Sequence, residues 1–244
     1  MKRIYILLIL LILVILALIF RPYHKIATLP IIRIFTKEKT VAQRVEQYGG
    51  AARVRLKPYF DKAVVSYPPQ RVILLALKRE RVLQIYATDP KGAYHFIRTY
   101  PILAASGDLG PKLQEGDDQV PEGIYPIESL NPNSAYHLSL RVGYPNDFDR
   151  SQAAKEGRTN LGGDIMIHGN SVSIGCLAMG DEAAEDLFVL AADTGLSNVT
   201  AVISPVDFRK GETVSKQARL PEWSEMLYSE IKMQLSTLPP EESK

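Results

Sequence analysis

Cys176 is the single cysteine of the 244-residue chain, and it follows His168, one of four histidines, by eight positions. A thiol attacks a carbonyl well only after losing its proton, and an imidazole in reach can take that proton and stay beside the thiolate as a cation. The residues around the pair suit this chemistry. The apolar run Ile165–Ile167 predicts a strand that carries His168 to its end, Gly169 opens a turn, and Ser173, Ile174 and Gly175 lead into the cysteine. Glycine at 175 lets the backbone approach a bound carbonyl, so the amides of Gly175 and Cys176 are candidate donors to an oxyanion, with Ser173 shaping the turn. Asp181 is expected to cap a helix running to about Asp193, whose dipole would lower the thiol pKa if close enough. The alternative is an inert core cysteine beside a packed histidine, the usual fate of a free thiol.

The segments that must position this pair are mostly strands. Val72–Leu77 is continuously apolar, as a strand buried on both faces would be, and Val82–Thr88, Tyr94–Ile102, Gly123–Leu130, Tyr136–Val142 and Val199–Ile203 follow as further strands. Short strands separated by turns argue for a mainly β domain. Ala104–Glu122 has no periodicity, and a loop of that length inside a domain is usually functional, here a wall for a substrate groove. Upstream, Thr40–Ala63 reads as two short helices divided at Gly49-Gly50, with Ser66–Pro69 a turn before the first strand. Pro221–Leu235 reads as an amphipathic helix with Trp223, Met226, Leu227 and Ile231 inward, followed by a loose polar tail after Pro239.

His137 falls inside a predicted strand, and His24 and His95 lack companions at ligand spacing, so no metal and no cofactor are expected. Asp147, Asp149 and Asp164 straddle separate turns and read as a scattered solvated face rather than an acid/base set.

The chain opens Met1-Lys2-Arg3 and runs from Ile4 to Phe20 with only the Tyr5 hydroxyl as a polar group. As a helix this run would span about 25 Å, the short end of a membrane crossing. No small-x-small cleavage site follows it, so a retained anchor is expected, with a cleaved signal as the alternative. Residues 1–21 carry three of the 29 basic residues and no acid, leaving 26 bases against 27 acids. A near-neutral remainder with no basic stripe argues against nucleic acid as a partner.

The motif His168-Gly169 with Ser173-Ile174-Gly175-Cys176 resembles the active-site region of the L,D-transpeptidase catalytic-domain family, also called YkuD-type. Gly110-Pro111-Lys112 with Glu115-Gly116-Asp117, Val120-Pro121-Glu122-Gly123-Ile124-Tyr125, Asn131-Pro132 with Ser134, and Gly143-Tyr144-Pro145-Asn146 with Asp149 are similar to an exported branch of it. Ile174 and Ala178 stand where most of the family has a histidine and an arginine, and the spacer after His168-Gly169 is short. The resemblance implies a β-sandwich or barrel over residues 70–206, with an anchor at 1–21, a linker and helical region at 22–69, and a C-terminal helix and tail at 207–244. It implies an inner-membrane-anchored, exported enzyme whose Cys176 forms a thioester with a peptidoglycan stem peptide and passes it to an amine. It also offers Tyr125, Tyr144 and Lys112 as substrate contacts, and carbapenem β-lactams as acylating agents of the cysteine. Hydrolysis that frees a peptidoglycan-linked protein or peptide, or wall binding without catalysis, are the other readings. A lone cysteine in an oxidising compartment has no disulfide partner, which favours a chemical role for it.

Overall fold

The first strand explains its own composition. Val72–Leu77 (β1) alternates its side chains between two faces, and all six residues are buried. Val72, Leu74 and Ala76 join the larger core cluster, while Ile73, Leu75 and Leu77 join a second cluster on the opposite face. The structure, a computed structural model, describes residues 38–214 and 220–241. Ile4–Phe20, and with it the expected membrane anchor, lies outside these residues, as does His24. Among the described residues no helix is long and apolar enough to cross a membrane.

Eight strands among the described residues form one curled mixed sheet. In chain order they are β1, β2 (Val82–Thr88), β3 (Tyr94–Pro101), β4 (Gly123–Asn131), β5 (Ser139–Val142), β6 (Met166–His168), β7 (Leu177–Ala178) and β8 (Val199–Ser204). Their order across the sheet is β3-β2-β1-β8-β4-β5-β6-β7. The β1–β8 and β6–β7 pairs are parallel and the others antiparallel.

Among the described residues, four α-helices lie at the periphery: α1 (Val41–Lys62), α2 (Asp147–Lys155), α3 (Asp181–Thr194) and α4 (Ser224–Ser236). From α1, Leu56 and Phe60 enter the larger core with Leu187, Phe188 and Leu190 of α3. Leu227, Tyr228, Ile231 and Leu235 of α4 cover the other face. The fold is therefore mainly β with peripheral helices.

Five local expectations are corrected. Gly49-Gly50 does not divide α1, which begins at a Thr40–Gln43 capping box and continues through Pro58. Each glycine costs a helix about 1 kcal/mol, but Gly49, Ala52, Leu56 and Phe60 make one buried stripe. Burying Leu56 and Phe60 alone contributes roughly 1.5–3 kcal/mol each, which outweighs that cost. The predicted strand from Tyr136 begins only at Ser139, because His137 sits at φ +71° and breaks extended pairing. Asp149 is buried rather than solvated: its carboxylate accepts the Asn146 amide at 3.0 Å, while Asn146 Oδ1 accepts the Asp149 amide at 2.9 Å, starting α2. Met226 is 46% exposed rather than inward, since the buried stripe of α4 runs through Leu227, Tyr228 and Ile231. The tail is also tied down as far as Glu241, which accepts hydrogen bonds from Gln84 and Thr99 at 3.0 and 3.1 Å.

Candidate active site

β6 and β7 are the shortest strands, and they carry the candidate pair. Ile167 lies opposite Leu177 and His168 opposite Ala178. Carried back one position, this register sets Cys176 beside Met166, whose amide donates to the thiol sulfur at 3.3 Å. Met166 and His168 leave the same face of β6, so Cys176 and His168 start as diagonal neighbours on one face. Met179 N–H donates to His168 O at 2.8 Å and Gly180 N–H to Asn170 O at 2.9 Å, which ties the connecting turn to the start of α3. Gly169 has no room for a side chain: an added Cβ would lie 2.6 Å from Asp181 Oδ1 and 2.8 Å from Tyr136 O.

His168 is buried, and its Nδ1 lies 2.6 Å from Gly169 O. A carbonyl only accepts, so Nδ1 carries the proton and Nε2 is left as the basic nitrogen. Tyr136, missed in the sequence reading, covers the imidazole with ring centroids 4.7 Å apart and planes 31° from parallel. Burial lowers the His168 pKa, with the Gly169 carbonyl working against it, so the ring is neutral at pH 7.

The thiol differs from expectation. Burial raises the Cys176 pKa above the usual thiol value, helped by Asp164 and opposed by the Met166 amide and Lys112. The thiol also donates to Asp164 O at 3.5 Å. α3 starts at Asp181, beyond β7, with Gly180 rather than Asp181 at the cap position. The resting groups are thus a neutral thiol and a neutral imidazole, so an attack by this sulfur would require its proton to move with it.

Both candidate oxyanion amides are engaged. Gly175, at φ +77° where glycine is favoured, donates its N–H to Ser106 Oγ at 2.6 Å. Cys176 N–H donates to Ser173 Oγ at 3.1 Å. Ser106 was not singled out by sequence. It lies in the long loop after β3, which crosses beside β7: Ala104 bridges Ala178, and the Leu103 amide donates to Ala178 O at 2.8 Å.

The three proposed substrate contacts fall elsewhere. Tyr125 is 1% exposed and donates its hydroxyl to Glu122 O at 2.9 Å. Tyr144 is buried, with its hydroxyl 3.3 Å from the carbonyls of Lys112 and Leu161. Lys112, also buried, is spent on Asp117 and on Gln114 O. These residues bind the loop to itself and to the core, so they shape a wall and do not present groups to a substrate. Glu122 does likewise: it pairs with Lys78 at 2.9 Å and accepts Gly110 N–H at 2.7 Å and the Tyr228 hydroxyl at 2.8 Å. Ala178, in place of the family's arginine, is fully buried, whereas Ile174, in place of its histidine, is 75% exposed. Leu103, Tyr136 and Val172 are exposed nearby along the chain or in contact with the site.

The chain matches the Escherichia coli (strain K12) protein YafK at 36% identity over 119 residues, 48% of this chain and 46% of YafK. It thus spans about half the length of the curated relatives it matches. Two solved structures are more distantly similar. The helical cell shape determining protein Pgp2 from Campylobacter jejuni aligns at TM-score 0.46 and 23% identity, over 64% of this chain and 55% of that one. Bd1075 from Bdellovibrio bacteriovorus aligns at 0.41 and 24%, over 58% and 50%. The family model of the L,D-transpeptidase catalytic domain (YkuD) matches residues 70–206, which include the whole His168–Cys176 arrangement. The chain belongs to this L,D-transpeptidase family.

Proposed function

We propose that the protein is a peptidoglycan L,D-transpeptidase in which Cys176 is the nucleophile and His168 its general base. The observation that carries this reading is the Nδ1–Gly169 carbonyl bond, with a half-buried thiol at the entry to the neighbouring strand. It fixes the tautomer with a basic Nε2 without needing a carboxylate. Cys176 Sγ attacks the carbonyl of a stem-peptide amide as His168 Nε2 takes its proton. The tetrahedral intermediate collapses to a thioester, and the same proton leaves with the departing amine. An acceptor amine then attacks the thioester, gives a proton to His168, and the thiol is restored. The apolar side chains Leu103, Tyr136, Val172 and Ile174 favour transfer to a peptide acceptor over water, because an acceptor laid on them displaces solvent from the thioester. On this reading the domain works in the cell envelope, outside the inner membrane.

The test is incubation of the full chain with muropeptides carrying a free side-chain amine, followed by mass spectrometry. Cross-linked dimers are expected. Shortened or released peptides alone would make the protein a hydrolase of the same family. No change in any muropeptide would favour a wall-binding role.

A further inference from the structure

One of the two candidate oxyanion amides, that of Gly175, is held at rest by a residue that neither the motif nor the family match assigns. Ser106 Oγ accepts the Gly175 N–H at 2.6 Å, and its own hydroxyl proton is donated to Asp118 O at 2.6 Å. Ser106 therefore bridges the turn before the nucleophile to the far end of the long loop. It is not placed there loosely. Gly107, at φ +81°, leaves no space for a Cβ against the Gln119 side chain, which accepts the Asp108 N–H at 2.7 Å and donates to Asp108 O at 3.1 Å. Gln119 N–H in turn donates to Asp117 Oδ1 at 3.1 Å, and Asp117 holds Lys112 and the amides of Leu113 and Gln114. The loop is thus cross-braced, and the brace delivers one hydroxyl to one amide.

We propose that Ser106 is a gating residue for acyl transfer, holding the Gly175 amide until the substrate carbonyl oxygen displaces its hydroxyl. The exchange balances: one N–H leaves one oxygen acceptor for another, and no proton or covalent bond changes hands. An amide that must be won from a hydroxyl is worth less to the oxyanion than a free one. The net value of one neutral hydrogen bond limits the effect to about two- to tenfold in rate. Asp117 and Gln119, which hold the loop, set how easily the hydroxyl yields. This inference rests on Cys176 being an acyl-accepting nucleophile.

The test compares two reactions of the same thiol in the full chain. Alkylation by iodoacetamide displaces iodide at carbon and forms no oxyanion, whereas acylation by p-nitrophenyl acetate does. In Ser106→Ala the acylation rate should rise about five-fold relative to the alkylation rate. Ser106→Thr, which keeps a hydroxyl, should stay near the wild-type ratio. Hydrogen exchange of the Gly175 amide, read by NMR, should quicken in Ser106→Ala only, and this readout needs no turnover. An unchanged or lowered acylation-to-alkylation ratio in Ser106→Ala, or Gly175 exchange no faster than wild type, would overturn the gate while leaving the nucleophile standing. A wild-type Cys176 inert to both reagents would overturn the gate and the nucleophile together.

Discussion

β1 and β7 show two ways of holding a strand in one sheet. β1 is six apolar residues, every one buried, with core on both faces. β7 is two residues, set by β6, by a single bridge to Ala104 and by polar contacts at the turn before it. Burial is non-directional, and it fixes β1 through volume and area. Hydrogen bonds are directional, and they fix the orientation of individual amides around Cys176. The slab supplies stability, while the β6–β7 end supplies geometry at small energetic cost. Variants in the two regions should therefore separate stability from reactivity.

The largest effects are expected where the slab meets the loop. Glu122 is fully buried, and burial lowers the Lys78 pKa while Glu122 opposes that shift. Glu122→Ala would leave the Lys78 ammonium buried without its carboxylate, a loss of about 3–5 kcal/mol. The melting temperature should fall by on the order of 10 °C. The double variant Lys78→Met with Glu122→Leu should recover most of that loss, because removing both charges removes the desolvation penalty. Thermal melts of the three proteins check this, and a double variant no better than Glu122→Ala would show that the pair itself, not the orphaned charge, matters.

Leu74→Ala comes next. It empties a fully buried position in β1, at a cost of about 2–5 kcal/mol. At a temperature where the variant remains folded, Cys176 should alkylate at the wild-type rate. A large change in that rate would mean that the two regions are coupled more tightly than their contacts suggest.

The same contrast explains what the sequence could tell. β1, β2, β4 and β8 are legible to within a residue or two because apolar runs and turn residues are local signals. α1 was misread because its glycines are local breakers, while the partners that compensate for them lie far along the chain in α3, where Asp193 accepts Arg53 at 2.7 Å and Asp186 accepts Arg55 at 2.8 Å. α2 has a readable start, Asn146 with Asp149 three residues on, but by sequence Asp149 reads as solvated with Asp147 and Asp164. Cys176, His168, Gly169 and the 173–175 turn were legible through their motif. Tyr125, Tyr144 and Lys112 belonged to motifs too, but their patterns encode how the loop is braced. Ser106 gave no signal, since the amide it holds is 69 positions away.

The smallest effects concern protons at the site. His168 titrates below its ordinary value and Cys176 above its own, each chiefly through burial. Turnover should therefore rise as pH climbs through the lowered His168 pKa, which frees the base, and then hold a plateau across neutral pH. Direct alkylation should keep climbing past the usual thiol range, contrary to a preformed thiolate–imidazolium pair. Tyr136→Ala, which uncovers the imidazole, should move the acidic limb to higher pH, because less burial raises the His168 pKa toward its ordinary value. Its stability should change little, as Tyr136 is 44% exposed. Tyr136→Phe, which keeps the ring, should leave the limb in place.

The central claim is that Cys176 and His168 act as one nucleophilic unit, and the most direct measurement is turnover of muropeptides by Cys176→Ser, His168→Ala and the double variant, read by mass spectrometry. Cys176→Ser should be inactive, because a serine hydroxyl is far harder to deprotonate with an imidazole poised for a thiol. His168→Ala should lose several orders of magnitude, and the double variant should be scarcely worse than either single one. Cys176→Ser with near-normal turnover would contradict the account.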